Sequence, residues 1–305
     1  MERVTASTTS VGVSPRASKP DSGTLLTLQR GLRLLEAIAE DNGNATAKSL
    51  SYRLGLKKGT CYHLLRTLEE EGYIVRLAGG RFTLGGRIAV LQDSVRAALA
   101  PLPQFVDLLM KLHERLEETV YISGWCEDDI VLQRYIEGSK AVHVGNLEIG
   151  YRENMHARAS GKAILAFLPV GRVRAYFATR GLPPRTPNTI TDLGSLVEYL
   201  ETVAKSGVAI DIEEFSQDVC CVAATIFDRK AYPVGSYAAS VPAMRFEARR
   251  TEVTSAVRHA AVEASRYLGY SRSYPPKSPL IRGDLDDVPC NDVRLEGGEQ
   301  IDRLR

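Results

Sequence analysis

Cysteine is scarce in this 305-residue chain, and the five present, Cys61, Cys126, Cys220, Cys221 and Cys290, form no CxxC pair. None stands at zinc spacing from a histidine, so no metal site and no disulfide framework is expected, and a reducing cytoplasm fits best. Long apolar runs are missing as well. No segment approaches the ~20 residues of a membrane span, and residues 1–24 lack the apolar stretch of a signal peptide. Charge of one sign is also lacking: 39 Lys and Arg face 37 Asp and Glu, a net +2, which excludes a uniformly basic coat for nucleic acid. What remains is an ordinary soluble composition, 44% hydrophobic and 25% charged, with length for about two domains.

The near-neutral total conceals a local excess. Residues 25–92 hold 10 cations and 6 acids, and from Asn42 to Leu68 the cations Lys48, Arg53, Lys57, Lys58 and Arg66 meet no acid. Such a stretch can follow a phosphate backbone, because each neutralised phosphate releases condensed counterions. The ends differ: residues 1–24 are rich in Ser, Thr, Pro and Gly, and 271–305 in Pro, Gly and Asp without a sustained period. Both are expected to be mobile tails.

Periodicity gives the basic segment a shape. Leu28, Leu32, Leu35 and Ala39, widened by Leu34 and Ile38, predict a first helix over about 26–40. Thr46 can cap a short helix with Ala47, Leu50 and Leu54 on one face, and Gly55 supplies a tight turn. A third helix from about Gly59 buries Cys61, Leu64, Leu65 and Leu68, and Gly72 stops it. Two short helices joined by a Gly turn, behind a packing helix, make a helix-turn-helix. The free side of the third helix carries Thr60, Tyr62, His63, Arg66 and Thr67, preceded by Lys57 and Lys58; these are groups able to read base edges and hold phosphates. Runs 73–76 and 81–84 around Gly79-Gly80 predict a hairpin, a wing whose Arg81 reaches a groove or a phosphate. Next, Ile88, Leu91, Val95 and Leu99 share a helical face, an apolar seam suited to pairing with a second copy or to packing on its own domain.

At this point the sequence resembles the IclR family of bacterial transcription regulators. The resemblance rests on LQRGLRLLEAIAE, LKKGTCYHLLRTLEEEGYI and RFTLGGRI, followed by ETVYI, MHARASGKAILAFL, TIT, GVAIDIEEF and CVAATIFD, and spans about 25–270. Gly59 departs from the usual Ser and removes a side-chain cap. The resemblance implies a multidomain α and α+β fold. Its parts would be a winged helix-turn-helix (25–85), a linker and dimerisation helix (86–100) and a GAF-like α+β effector-binding domain (101–270), between tails 1–24 and 271–305. It further implies a homodimer or dimer of dimers that binds double-stranded operator DNA and a small organic or aromatic acid, regulating a catabolic operon, here by repression. No cofactor, metal, membrane or enzymatic activity is expected.

The second half has its own signals. Phe105, Leu108, Leu109, Leu112 and Leu116 predict a covering helix. Strands are expected at 119–125, 130–136, 208–212, 221–227 and 233–241, with a last helix from Arg245 to Leu268 packed across them. Ser160-Gly161-Lys162 looks like the end of a P-loop, but His156 occupies the place of the first required Gly and Ala163 that of Ser or Thr, so nucleotide binding is rejected. The alternative is a Gly turn into a helix whose free N–H groups hold an anion. By resemblance this turn lines the effector pocket, with the backbones of Ala159 and Ser160 as carboxylate donors and Asp211, Cys221 and Ser240 in the wall. Arg158 stands where the family more often has a small residue or Thr. It either enters the pocket to pair with a carboxylate or lies exposed at the loop edge. Thr225 replaces a common Pro. Two further readings remain: a second domain serving only oligomerisation, and a Cys221 enzyme using His156, which would need an activated thiolate and an oriented base.

Overall fold

The computed structural model describes residues 25–126, 129–138 and 148–277. Residues 1–24 and 278–305, and with them most of the expected tails, lie outside these. The chain divides into two compact units between Ala100 and Pro101.

In the first unit, helix α1 (Leu26–Glu40) buries Gly31, Leu34, Ala37 and Ile38. The expected stripe is therefore rotated: Leu28 and Leu32 face outward, 61% and 52% exposed, while Leu34 and Ile38 enter the core. With leucines on both sides of α1, spacing alone could not choose the face. Strand β1 (Ala45–Thr46) leads into α2 (Ala47–Arg53). Thr46 closes a reciprocal cap there: its hydroxyl accepts the Ser49 N–H at 3.1 Å, and the Ser49 hydroxyl oxygen accepts the Thr46 N–H at 3.0 Å. Gly55 turns the chain at φ +61°, a left-handed value that favours glycine, into α3 (Lys58–Glu70). Cys61 and Leu65 of α3 join Leu34, Ile38, Leu50 and Phe82 in one core.

Strands β2 (Ile74–Leu77) and β3 (Arg81–Leu84) flank the Gly79-Gly80 turn and form the hairpin. The two-residue β1 also pairs with β3, making a three-stranded sheet in the order β1-β3-β2. A strand that short leaves no alternation to read. Helix α4 (Gly86–Ala98) buries none of its residues; Val90, Leu91 and Val95 are exposed, whereas Leu99, expected in the same seam, is 7% exposed.

The second unit is a five-stranded antiparallel sheet in the order β5-β4-β8-β7-β6. Its strands are β4 (Thr119–Cys126), β5 (Asp129–Ile136), β6 (Val208–Ile212), β7 (Val219–Phe227) and β8 (Pro233–Pro242). Helices α5 (Pro103–Leu116) and α9 (Ala243–Tyr267) cover one face. The other face carries α6 (Ala159–Leu165), α7 (Val170–Arg180) and α8 (Leu193–Ser206). All nine residues of β7 are buried, which explains why it reads as a continuous apolar run rather than an alternating one. Helices α7 and α8 are not among the elements expected from the sequence, although Leu196, Leu200 and Val203 recur at helical spacing and Asp192 caps α8 by accepting the Ser195 N–H at 2.8 Å.

The segment expected to start a mobile tail at 271 stays on the domain through Tyr274. Its hydroxyl donates to the Thr225 carbonyl at 2.9 Å, and its ring meets Phe227 edge-on at 5.5 Å. A single aromatic anchor in a Pro-rich stretch has no period by which to be recognised.

Thr46→Ala removes the cap at α2 and is expected to cost ~1 kcal/mol. Urea unfolding followed by circular dichroism measures this, and an unchanged midpoint would mean that the cap contributes nothing.

Candidate functional site

Two surfaces carry chemistry, one in each unit. In the first, Lys57 is the N-cap of α3 and Lys58 its first residue, both exposed. Gly59 is therefore the second helical residue and not the cap, correcting the expectation that its lack of a side chain removes one. A Cβ there would meet nothing within 4 Å, so no neighbour demands glycine. Tyr62, His63, Arg66 and Thr67 are exposed along the same helix, and Thr60 is half-buried. The Thr67 hydroxyl turns back to donate to the His63 carbonyl at 3.0 Å. Arg66 Nε donates to Glu70 Oε1 at 2.7 Å, one turn on. Such an exposed pair contributes little stability and can be exchanged for another anion. At the wing, Arg81 is exposed and its Nε donates to the Ala78 carbonyl at 3.3 Å.

The second surface is a small pocket of about 10 Å³, lined by Tyr121, Arg158, Ala159, Ser160, Asp211, Phe215 and Cys221. Its construction begins at the turn before α6. Gly161 lets the helix settle on the 155–157 segment, for a Cβ there would stand 2.3 Å from the Met155 carbonyl oxygen. The turn thereby buries Arg158, which is 4% exposed. Its guanidinium lies 5.0 Å from the Tyr151 ring centroid and 5.6 Å from that of Phe215. Both terminal nitrogens are buried without a hydrogen-bond partner among the described residues. Of the two alternatives read in the sequence, an exposed loop-edge arginine is the one the structure overturns. The Ser160 hydroxyl is likewise buried and unpartnered.

Across the sheet, Asp211 on β6 is 1% exposed, and its Oδ1 accepts the Glu214 N–H at 2.7 Å. Burial drives its carboxyl up to about 7, against the opposing pull of Lys162. Cys221 on β7 stands opposite Asp211 in the β6–β7 register. Ser240 is not among the lining residues; it stands beside Cys221, 3.1 Å from its Sγ, and bonds the Tyr121 hydroxyl. That is a correction to the expected wall: the β7–β8 pairing with Cys221 puts Ser240 on the same face of the sheet, one strand further from Asp211. The Cys221–His156 pair of the enzyme reading is not assembled. His156 bonds the Pro183 carbonyl at 3.0 Å, and burial pushes the Cys221 thiol up to about 12, far from a thiolate.

Sequence reasoning missed two cavity residues, Tyr121 and Phe215. Tyr121 lies inside ETVYI and reads as a core position; Phe215 follows Glu213-Glu214 in a loop and carries no pattern. It also missed what holds that loop. Lys162, fully buried on α6, donates to Glu214 Oε1 at 2.5 Å and lies 4.5 Å from the Tyr199 ring centroid. Thr189 and Thr186 hydroxyls donate to the Glu214 and Glu213 carbonyls at 2.6 Å each. Thr225, where the resemblance leads one to expect Pro, donates to the Ala163 carbonyl at 2.6 Å and ties β7 to α6.

Lys162→Met leaves the Glu214 carboxylate buried without its counter-charge and is expected to destabilise the chain by ~3–5 kcal/mol. The double variant with Glu214→Leu should recover most of that loss. Thermal unfolding of both variants checks it; additive losses would show that the pair does not act as a unit.

Comparison with known proteins agrees with this architecture. Residues 27–78 match the IclR helix-turn-helix domain, and 103–266 match the bacterial transcriptional regulator IclR C-terminal domain. The transcriptional repressor IclR of Escherichia coli is 30% identical over 263 residues, covering 84% of this chain and 94% of that protein. The HTH-type transcriptional regulator Rv1719 of Mycobacterium tuberculosis is 31% identical over 245 residues, 77% of this chain and 90% of that one. Among solved structures, the Thermotoga maritima IclR superimposes with a TM-score of 0.67 at 29% identity, over 80% of this chain and 99% of that chain. Sequence, fold and both domain matches therefore agree: the chain belongs to the IclR family of bacterial transcriptional regulators.

Proposed function

We propose that this chain is a ligand-responsive repressor of a catabolic operon, with a small organic or aromatic acid bound in the cavity of the second unit. The observation that carries this reading is the buried, unpartnered guanidinium of Arg158. A buried charge without a counter-charge is costly, and a planar guanidinium matches a carboxylate bidentately. The lining by Ala159, Ser160, Asp211 and Cys221 adds polar edges around that charge, while Phe215 and Tyr121 supply apolar walls.

Operator DNA is met by α3 and the wing. Lys57, Lys58, Thr60, Tyr62, His63, Arg66 and Thr67 form the reading face, and Arg81 contacts phosphate or a groove. The chain acts as a homo-oligomer, a dimer or a dimer of dimers, supported by the exposed Val90, Leu91 and Val95 of α4, which are left unburied within one copy. The effector changes operator affinity only to the extent that it binds the two arrangements of the protein unequally, and α4 carries that difference.

A thermal-shift screen of small organic and aromatic acids identifies a binding acid by raised stability. Against that acid, Arg158→Ala is expected to lose roughly 10- to 100-fold in affinity by titration calorimetry; unchanged affinity would remove the carboxylate from this site. On the DNA side, Arg66→Ala should weaken operator binding in a gel-shift titration far more than Glu69→Ala does, and equal effects would refute the reading face.

A further inference from the structure

The stretch from Asn42 to Leu68 holds no acid in sequence, but in space both of its arginines are held by carboxylates from outside it. They are held at opposite ends. Arg53 on α2 gives its two terminal nitrogens to the end of α1, Nη2 to Glu40 and Nη1 to Asp41, the latter at 3.1 Å, so its fork is spent on the fold. Arg66 on α3 gives only Nε, to Glu70 Oε1 at 2.7 Å, and its Nη1 and Nη2 have no partner among the described residues. Its side chain is 78% exposed. One end of this guanidinium is fixed and the other is free.

Helix stability does not account for the pair. Glu70 is the last residue of α3, where the helix dipole disfavours an acid. A cation four residues before a carboxylate is also the less favourable order for an exposed helical pair. An acid on a helix that approaches DNA repels phosphates as well. At 3.6 residues per turn, Gly59, His63, Arg66 and Glu70 fall on one line of α3. Gly59, at the head of that line, has open space where a Cβ would stand, so a duplex can come close to the helix there.

We propose that Glu70 is a positioning residue for base recognition: it holds Arg66 by Nε so that Nη1 and Nη2 form a fork for O6 and N7 of one guanine in the major groove of the operator. This rests on α3 being the reading face, and it names the base and the residue that sets the geometry. The chemistry favours a base edge over a phosphate. As a unit the pair is nearly neutral, so it adds little attraction for phosphate charge, which the exposed Lys48, Lys57 and Lys58 supply. Guanine presents two neutral acceptors in one plane, and a planar fork meets both only in one orientation. A free arginine loses rotamer freedom on binding, and one already held at Nε has less to lose.

The test selects binding sites for the full chain from a pool of random-sequence duplexes, with wild type and with Arg66→Ala. One guanine that wild type requires should lose its preference in Arg66→Ala. In gel-shift titrations on the selected duplex, 7-deazaguanine at that position, which lacks the N7 acceptor, should weaken wild-type binding about tenfold and leave Arg66→Ala unchanged. Glu70→Ala should lose about tenfold in discrimination between that guanine and adenine, while its affinity for unselected duplex stays equal or rises because an acid is gone. Glu70→Gln, whose amide oxygen still accepts from Nε, should restore most of the discrimination. Discrimination is a ratio measured on one protein sample, so a loss of folded protein does not mimic it. Wild-type discrimination in Glu70→Ala, or equal losses in the Ala and Gln variants, would overturn the positioning role. A lost preference for another base in Arg66→Ala, or a uniform loss on every duplex, would overturn the guanine contact while leaving α3 on the DNA. If wild type selects no sequence, or Arg66→Ala changes binding to no duplex, the reading face falls with it.

Discussion

A buried guanidinium without a hydrogen-bond partner governs the second unit. Arg158 is enclosed because Gly161 lets α6 lie against the Met155 carbonyl, and because Tyr151 and Phe215 close over the guanidinium. Aromatic faces attract a cation but do not satisfy its N–H donors. The fold thus holds a group whose hydrogen bonds remain to be made, on the wall of a small pocket.

That arrangement survives because the parts around it are tied from outside the cavity. The Lys162–Glu214 pair fastens the Phe215 loop to α6, and Thr186 and Thr189 hold the same loop from the other side. Thr225 fastens α6 to the central strand. These bonds position Asp211, Phe215 and Arg158 relative to one another. The separation of Arg158 from Asp211 is therefore set by the fold and not by a bond between them.

Much of this was legible in the sequence where one periodicity dominates. The α5 stripe from Phe105 to Leu116 and the capped α2 follow from helical spacing and the Thr46 cap, and the five strands of the second unit from short apolar, β-prone runs. Legibility failed where two patterns overlap or none exists. In α1, leucines on both sides hid which face is buried. Strand β1 is two residues long, Tyr274 is a lone anchor, and Phe215 sits in a loop. Arg158 could be located but not oriented, since its burial depends on contacts far away in sequence. Lys162 was invisible for the same reason: a lysine in SGKAIL reads as exposed until Glu214, distant along the chain, is found beneath it.

The parity of β7 has a consequence for engineering. Val219, Cys221 and Ala223 face the cavity layer, whereas Cys220, Val222, Ala224 and Ile226 face the α5–α9 layer. Every position on the strand is buried, so a substitution library cannot be sorted by exposure. It can be sorted by odd and even number. Odd positions change what the pocket side encloses, even positions change how the sheet seats on its supporting helices, and a one-residue slip of register would exchange the two roles.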